Sequence, residues 1–77
     1  MLLLTRPDCE LCEHFQSDFA AFAAQHAVPE MRVANVDSHS EWQRRYGLRV
    51  PVLLCDSALV CAGQFDGVEL LRLLRVR

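Results

Sequence analysis

The chain of 77 residues predicts an α/β fold with elements in the order β-α-β-α-β-β-α, a mixed four-stranded sheet flanked by helices. Three observations carry this. Short apolar runs alternate with segments whose apolar residues recur every three or four positions, the signature of strands interleaved with helices. A residue pair rich in turn chemistry, Asp56-Ser57, separates the last two apolar runs. The first two strands flank a helix and are therefore parallel, joined by a right-handed crossover.

Leu2-Leu3-Leu4-Thr5 is an apolar run stopped by Pro7 and Asp8, as suits a buried first strand. Leu11, Phe15, Phe19, Phe22 and Ala23 then form one apolar stripe on a helix of about four turns, with Glu13, Gln16 and Asp18 opposite. Pro29 marks the break after His26. Met31 to Val36 alternates apolar and polar residues and reads as a second strand. Ser38 with Glu41 has the spacing of a capping box, in which each side chain satisfies an orphan amide near the other. The helix it opens carries Trp42 and Tyr46 on one face and stops at Gly47. Pro51 to Cys55 is continuously apolar, a third strand with proline at its first position. Ala58 to Ala62 completes a hairpin. Asp66 with Glu69 again has capping-box spacing, before a helix containing Val68, Leu70, Leu71, Leu73 and Leu74. Arg72, Arg75 and Arg77 suit the negative end of its dipole.

This length allows one domain, residues 1–77, and the 52% apolar content supports a packed core. The eight basic residues are all arginine, scattered along a chain of net charge −2. No basic run tracks a phosphate backbone, so nucleic acid is not an expected partner. Leu2 to Leu4 is too short for a signal sequence, and no segment approaches a membrane span. The expectation is a cytoplasmic monomer without membrane contact. In that compartment four cysteines point to chemistry rather than to structural disulfides.

Cys9-Glu10-Leu11-Cys12 lies where the first strand hands over to the first helix. Amides at a helix N-terminus are unpaired, and the macrodipole adds roughly half a positive charge. A thiolate there is stabilised, and the thiol pKa falls from about 8.5 toward the range 3.5–7.5. Cys12, one turn further in, is shielded and close enough to attack a mixed disulfide on Cys9. Cys9 is thus the expected nucleophile and Cys12 the resolving thiol. Asp8, Glu10 and Glu13 oppose a thiolate, with Arg6 the fixed positive charge nearby. The expected result is a thiol less acidic than that of a strong oxidant.

Thr5-Arg6-Pro7-Asp8-Cys9-Glu10-Leu11-Cys12 resembles the glutaredoxin signature, which has a basic residue three places before the first cysteine. Tyr46 to Leu54, with Val50-Pro51 inside it, resembles the thioredoxin-fold segment in which a Val-Pro pair opens the third strand. With the order of elements, the resemblance to glutaredoxin-like proteins of the thioredoxin fold covers nearly the whole chain. It implies that Pro51 is cis and faces the cysteine pair. It also implies that the Val50 backbone lies antiparallel to a bound thiol substrate, and that Arg6 meets a glutathione carboxylate. The family's Gly-Gly segment appears only as Ala62-Gly63-Gln64-Phe65-Asp66, where Gly63 and Asp66 stand at the start of the last helix. Glu10-Leu11 replaces the Pro-Tyr or Gly-Pro usual between the cysteines.

The implied activity is thiol-disulfide exchange in cell redox homeostasis, with glutathione or protein disulfides as partners. Glutathione would be a co-substrate, with no resident cofactor or metal. Arg49, beside the Val-Pro step, is a further candidate for an anionic substrate. Two alternatives stand beside this reading: a redox-silent module that binds a protein partner, and a soft-metal domain holding Cu(I) through the two thiolates. Cys55 and Cys61 on neighbouring strands read as small apolar filler. Solvation is the simpler account of His14, and neither His26 nor His39 has a partner that spacing identifies.

Overall fold

A computed structural model describes residues 1–75. Its elements are β1 (Leu2–Thr5), α1 (Glu10–Ala23), β2 (Arg32–Asn35), a single 3-10 turn (Val36–Ser38), α2 (Ser40–Tyr46), β3 (Val52–Cys55), β4 (Ala58–Ala62) and α3 (Gly67–Arg75). The strands form one sheet in the order β2-β1-β3-β4. β1 and β2 are parallel, while β3 runs antiparallel to both β1 and β4. The expected α/β order and mixed four-stranded sheet are both present. Among the described residues no helix is long and apolar enough to cross a membrane.

The alternation of side chains along each strand divides the core in two. Leu3, Leu53 and Cys55 face Phe15 and Phe19 of α1 and Leu70 of α3. Leu4, Val52 and Leu54 face the other way, with Trp42 and Tyr46 of α2 partly covering them. β1 and β3 are the inner strands, covered on both faces, which is why both read as unbroken apolar runs. Between Leu54↔Leu59 and Leu53↔Cys61 the register skips one residue, leaving Val60 as a bulge. The hairpin tip is Asp56-Ser57, both with positive φ (51° and 69°), the conformation of a two-residue turn matched to strand twist.

The loop from β4 to α3 is pinned to α1 by one ring. Phe65 makes edge contacts with Phe15, Phe19 and Phe22, at centroid distances of 5.5, 5.7 and 5.2 Å. Gly67 packs so closely on Phe22 that a Cβ there would lie 2.6 Å from the ring.

Several expectations are corrected. Ser38 and Glu41 form no capping box: His39 is the N-cap of α2 and makes no side-chain cap bond. The 3-10 turn takes the residues first, since Asn35 Oδ1 accepts the Asp37 amide at 2.8 Å and Ser38 Oγ donates to the Asn35 carbonyl at 2.6 Å. Glu41 pairs instead with Arg44 and Arg45. At α3 only half of a box forms, with Asp66 Oδ1 accepting the Glu69 amide at 3.0 Å and Glu69 turned to Arg72. Leu11 does not join the buried stripe of α1 and is 54% exposed, because that stripe runs through Cys12, Phe15 and Phe19 and leaves Leu11 to its side. β2 is shorter than the alternation suggested and is an edge strand, with Val33 exposed. Pro51 lies one residue before β3 rather than in it. The expectation for Arg77 falls outside the described residues.

Candidate functional site

β1 ends at Thr5, and the chain reaches α1 through a tight loop in which Asp8 takes a positive φ of 56°, a conformation that Asp tolerates better than most residues. The turn places Cys9 at the N-cap of α1 with extended backbone angles. Its Sγ accepts the Cys12 amide N–H at 3.1 Å, the role a serine or aspartate oxygen usually plays at this position. Cys9 is half-buried and Cys12 is 2% exposed. The two are joined as a disulfide, with Cα atoms 5.2 Å apart.

The register brings the rest of the site to the same end of the sheet. Leu4 pairs with Val52, so the start of β3 lies beside the end of β1. Pro51 is fully buried there, and the Val50–Pro51 peptide bond is cis. The Pro51 carbonyl accepts the Gly63 amide at 2.8 Å, which draws in the end of β4. Gly63 has φ +82° and nothing within 4 Å of where a Cβ would stand, so backbone conformation rather than crowding selects glycine. Among the described residues neither the amide nor the carbonyl of Val50 is hydrogen-bonded. Thus Cys9, Cys12, Val50, Pro51 and Gly63 share one end of the sheet.

Arg6 is there too, but its guanidinium is occupied. Nε and Nη2 donate to the two Asp37 carboxylate oxygens at 3.0 Å each, and Nη1 donates to the Gly47 carbonyl. Hydrogen bonding to Asp37 raises the Arg6 pKa, and the same bond holds the Asp37 carboxyl below its ordinary value. Gln43 Nε2 adds a further donor to Asp37 at 3.1 Å. Arg6 therefore ties the loop before the cysteines to the turn after β2 and to the end of α2. Spacing gave no signal for Asp37 or Gly47, because this contact spans 31 and 41 residues.

Arg49 is exposed, with its amide donating to the Tyr46 carbonyl at 2.8 Å and no ion pair among the described residues. Asp66 is exposed and caps α3, so the Glu69 amide already has a carboxylate. Asp8, Glu10 and Glu13 are exposed around the pair. A groove of about 410 Å³ runs beside it, between Leu11, His14 and Asp18 of α1 and the Gly63-Gln64-Phe65 segment.

The chain matches the family described as glutaredoxin-like domain (DUF836) over residues 1–75. It belongs to the glutaredoxin-like family. An X-ray structure of protein XcR50 from X. campestris, a structural genomics target, is similar at 29% identity and a TM-score of 0.68, covering 99% of this chain and 96% of that one. No curated protein matches. A glutaredoxin-like domain with two cysteines at disulfide distance fits a redox role.

Proposed function

We propose that this protein is a thiol-disulfide oxidoreductase working through Cys9 and Cys12. The observation that carries the reading is the Cys12 N–H donated to Cys9 Sγ at the head of α1. In the reduced protein that amide and the helix dipole face the sulfur on which negative charge forms. The Cys9 thiolate attacks one sulfur of a substrate disulfide. A Cys9-substrate disulfide forms, and the other substrate sulfur leaves as a thiolate that takes up a proton. Buried Cys12, deprotonated in turn, attacks Cys9 Sγ and releases the second substrate thiol. Two electrons have then passed from the protein pair to the substrate, and an external thiol returns the pair to the reduced state.

The unbonded Val50 backbone supports a role in holding substrate beside Pro51, as the resemblance implies. The engagement of Arg6 by Asp37 and Gly47 favours a structural duty for that arginine over capture of a glutathione carboxylate.

The test is equilibration in graded glutathione redox buffers, with thiol trapping and mass measurement. A reversible Cys9–Cys12 disulfide with a potential of about −180 to −270 mV is expected. A pair that stays in one state across the series ends this reading.

A further inference from the structure

The guanidinium nearest the cysteine pair in sequence already holds a carboxylate. Arg6 stands one residue past β1 and three before Cys9. Its Nε and Nη2 form a fork that matches the two oxygens of a carboxylate, and Asp37 fills that fork at 3.0 Å on each arm. Nη1, which would complete a second fork with Nη2, donates to the Gly47 carbonyl. The pair is open to water, with the Arg6 and Asp37 side chains 35% and 37% exposed. A ligand is therefore kept from Arg6 by Asp37 and not by burial.

The 3-10 turn delivers Asp37 to this place. Parallel pairing sets Thr5 beside Asn35, so the chain leaves β1 and β2 at the same end of the sheet. Asn35 Oδ1 accepts the Asp37 amide at 2.8 Å, and Gln43 Nε2 donates to Asp37 Oδ1 at 3.1 Å. Against water, an exposed ion pair of this kind adds little to stability. Against another carboxylate the comparison is different. An incoming carboxylate makes the same two bonds but loses translational and rotational freedom on arrival. Asp37 is tethered, at an effective concentration on the order of millimolar. A substrate carboxylate present below that concentration does not displace it.

Resting on the oxidoreductase reading above, we propose that Asp37 is a specificity-determining residue, which occupies Arg6 from within and denies carboxylate-bearing disulfides an anchor beside the cysteine pair. Disulfides without a carboxylate lose nothing by this. The discrimination is exerted on binding, and the exchange between the dithiol and the disulfide is the one already described.

Single-turnover oxidation of the pre-reduced protein tests this, with acid quench and intact mass reading the Cys9–Cys12 disulfide. The probes are oxidised glutathione, its fully esterified form without free carboxylates, and the uncharged bis-hydroxyethyl disulfide. The rate with oxidised glutathione is divided by the rate with the uncharged disulfide, which cancels any change in Cys9 reactivity itself. Asp37→Asn is expected to raise that ratio about tenfold, the worth of a charge-assisted pair gained by the substrate. Asp37→Ala should do the same, and neither variant should speed the esterified form. Glu10→Gln removes an equal charge near Cys9 without touching Arg6, and at about 0.15 M salt should move the ratio less than about twofold. Adding Arg6→Lys to Asp37→Asn keeps the positive charge, removes the fork and should abolish most of the gain. An unchanged ratio in both Asp37 variants overturns the proposal, as does a gain from Glu10→Gln as large as theirs, which would assign the effect to net charge. Either result leaves the oxidoreductase reading standing as long as the uncharged disulfide oxidises the pair. If no disulfide does so, that reading falls and this proposal with it.

Discussion

The protein sets the same side chain in two contrasting places. Cys9 and Cys12 stand at the head of α1, where Cys9 is half-buried and its sulfur accepts a backbone N–H. Cys55 and Cys61 stand on paired strands β3 and β4, with Cys55 6% exposed inside the core and Cys61 half-buried against it. Burial pushes the Cys61 thiol up, with the nearby Asp66 and Glu69 carboxylates adding to the rise against a hydrogen bond from the Asp66 backbone. On the proposed function, reactivity follows from place in the fold and not from residue type: an open helix terminus favours a thiolate, while a strand interior favours the neutral thiol.

The comparison breaks most sharply at the nucleophile. Cys9→Ser should lower disulfide exchange by about a hundredfold or more, whereas Cys12→Ser should let the mixed disulfide on Cys9 accumulate, as intact mass would show. If Cys61→Ser produces a loss as large as Cys9→Ser, the division between the two pairs is wrong.

Stability should respond in the opposite sense. Cys55→Ala removes a buried sulfur and should cost about 1 kcal/mol, read by urea unfolding, while single-turnover exchange holds its rate. Alkylation of the reduced protein sharpens the contrast without any mutation. Cys9 should react first, Cys61 more slowly and with a profile displaced to alkaline pH, and Cys55 only as the protein unfolds. Asp8, Glu10 and Glu13 should keep the Cys9 pKa above about 5, and a lower value from the pH dependence of alkylation would mean that the helix terminus overrides them.

The smallest effect concerns the tie between the redox loop and α2. The Asp37 carboxyl is depressed in the folded state by its bonds to Arg6. The stability it contributes is present above the unfolded carboxylate pKa and is lost as pH falls through the folded value. Because the pair is exposed, that contribution is small. Asp37→Asn should flatten the acid limb of a stability-against-pH curve and leave the neutral region nearly unchanged.

Much of this was legible from the residues. The alternation of apolar runs and helical stripes placed all four strands and three helices, because the periods of strand and helix differ and burial enforces them. Asp56-Ser57 announced its turn, and Asp66 announced the cap it provides. The Ser38 expectation failed because the box pattern describes a helix start in isolation. Here the chain leaving β2 first tightens into a 3-10 turn that consumes Ser38, a choice set by the connection to α2. Leu11 fitted the helical stripe by spacing, yet the buried face enters the first turn through Cys12, and periodicity does not choose between two adjacent apolar residues.

The residues alone imply the α/β order, the strand-to-helix position of Cys9 and Cys12, and the place of Cys55 and Cys61 on neighbouring strands. All of these follow from local period and composition. The packing in three dimensions fixes that Arg6 is engaged by Asp37 and Gly47, that Phe65 pins the last loop to α1, and that Cys12 rather than Leu11 enters the core from the first turn of α1. Each depends on segments far apart in the chain, and their meeting is fixed by sheet register and helix packing, which no short stretch of residues encodes.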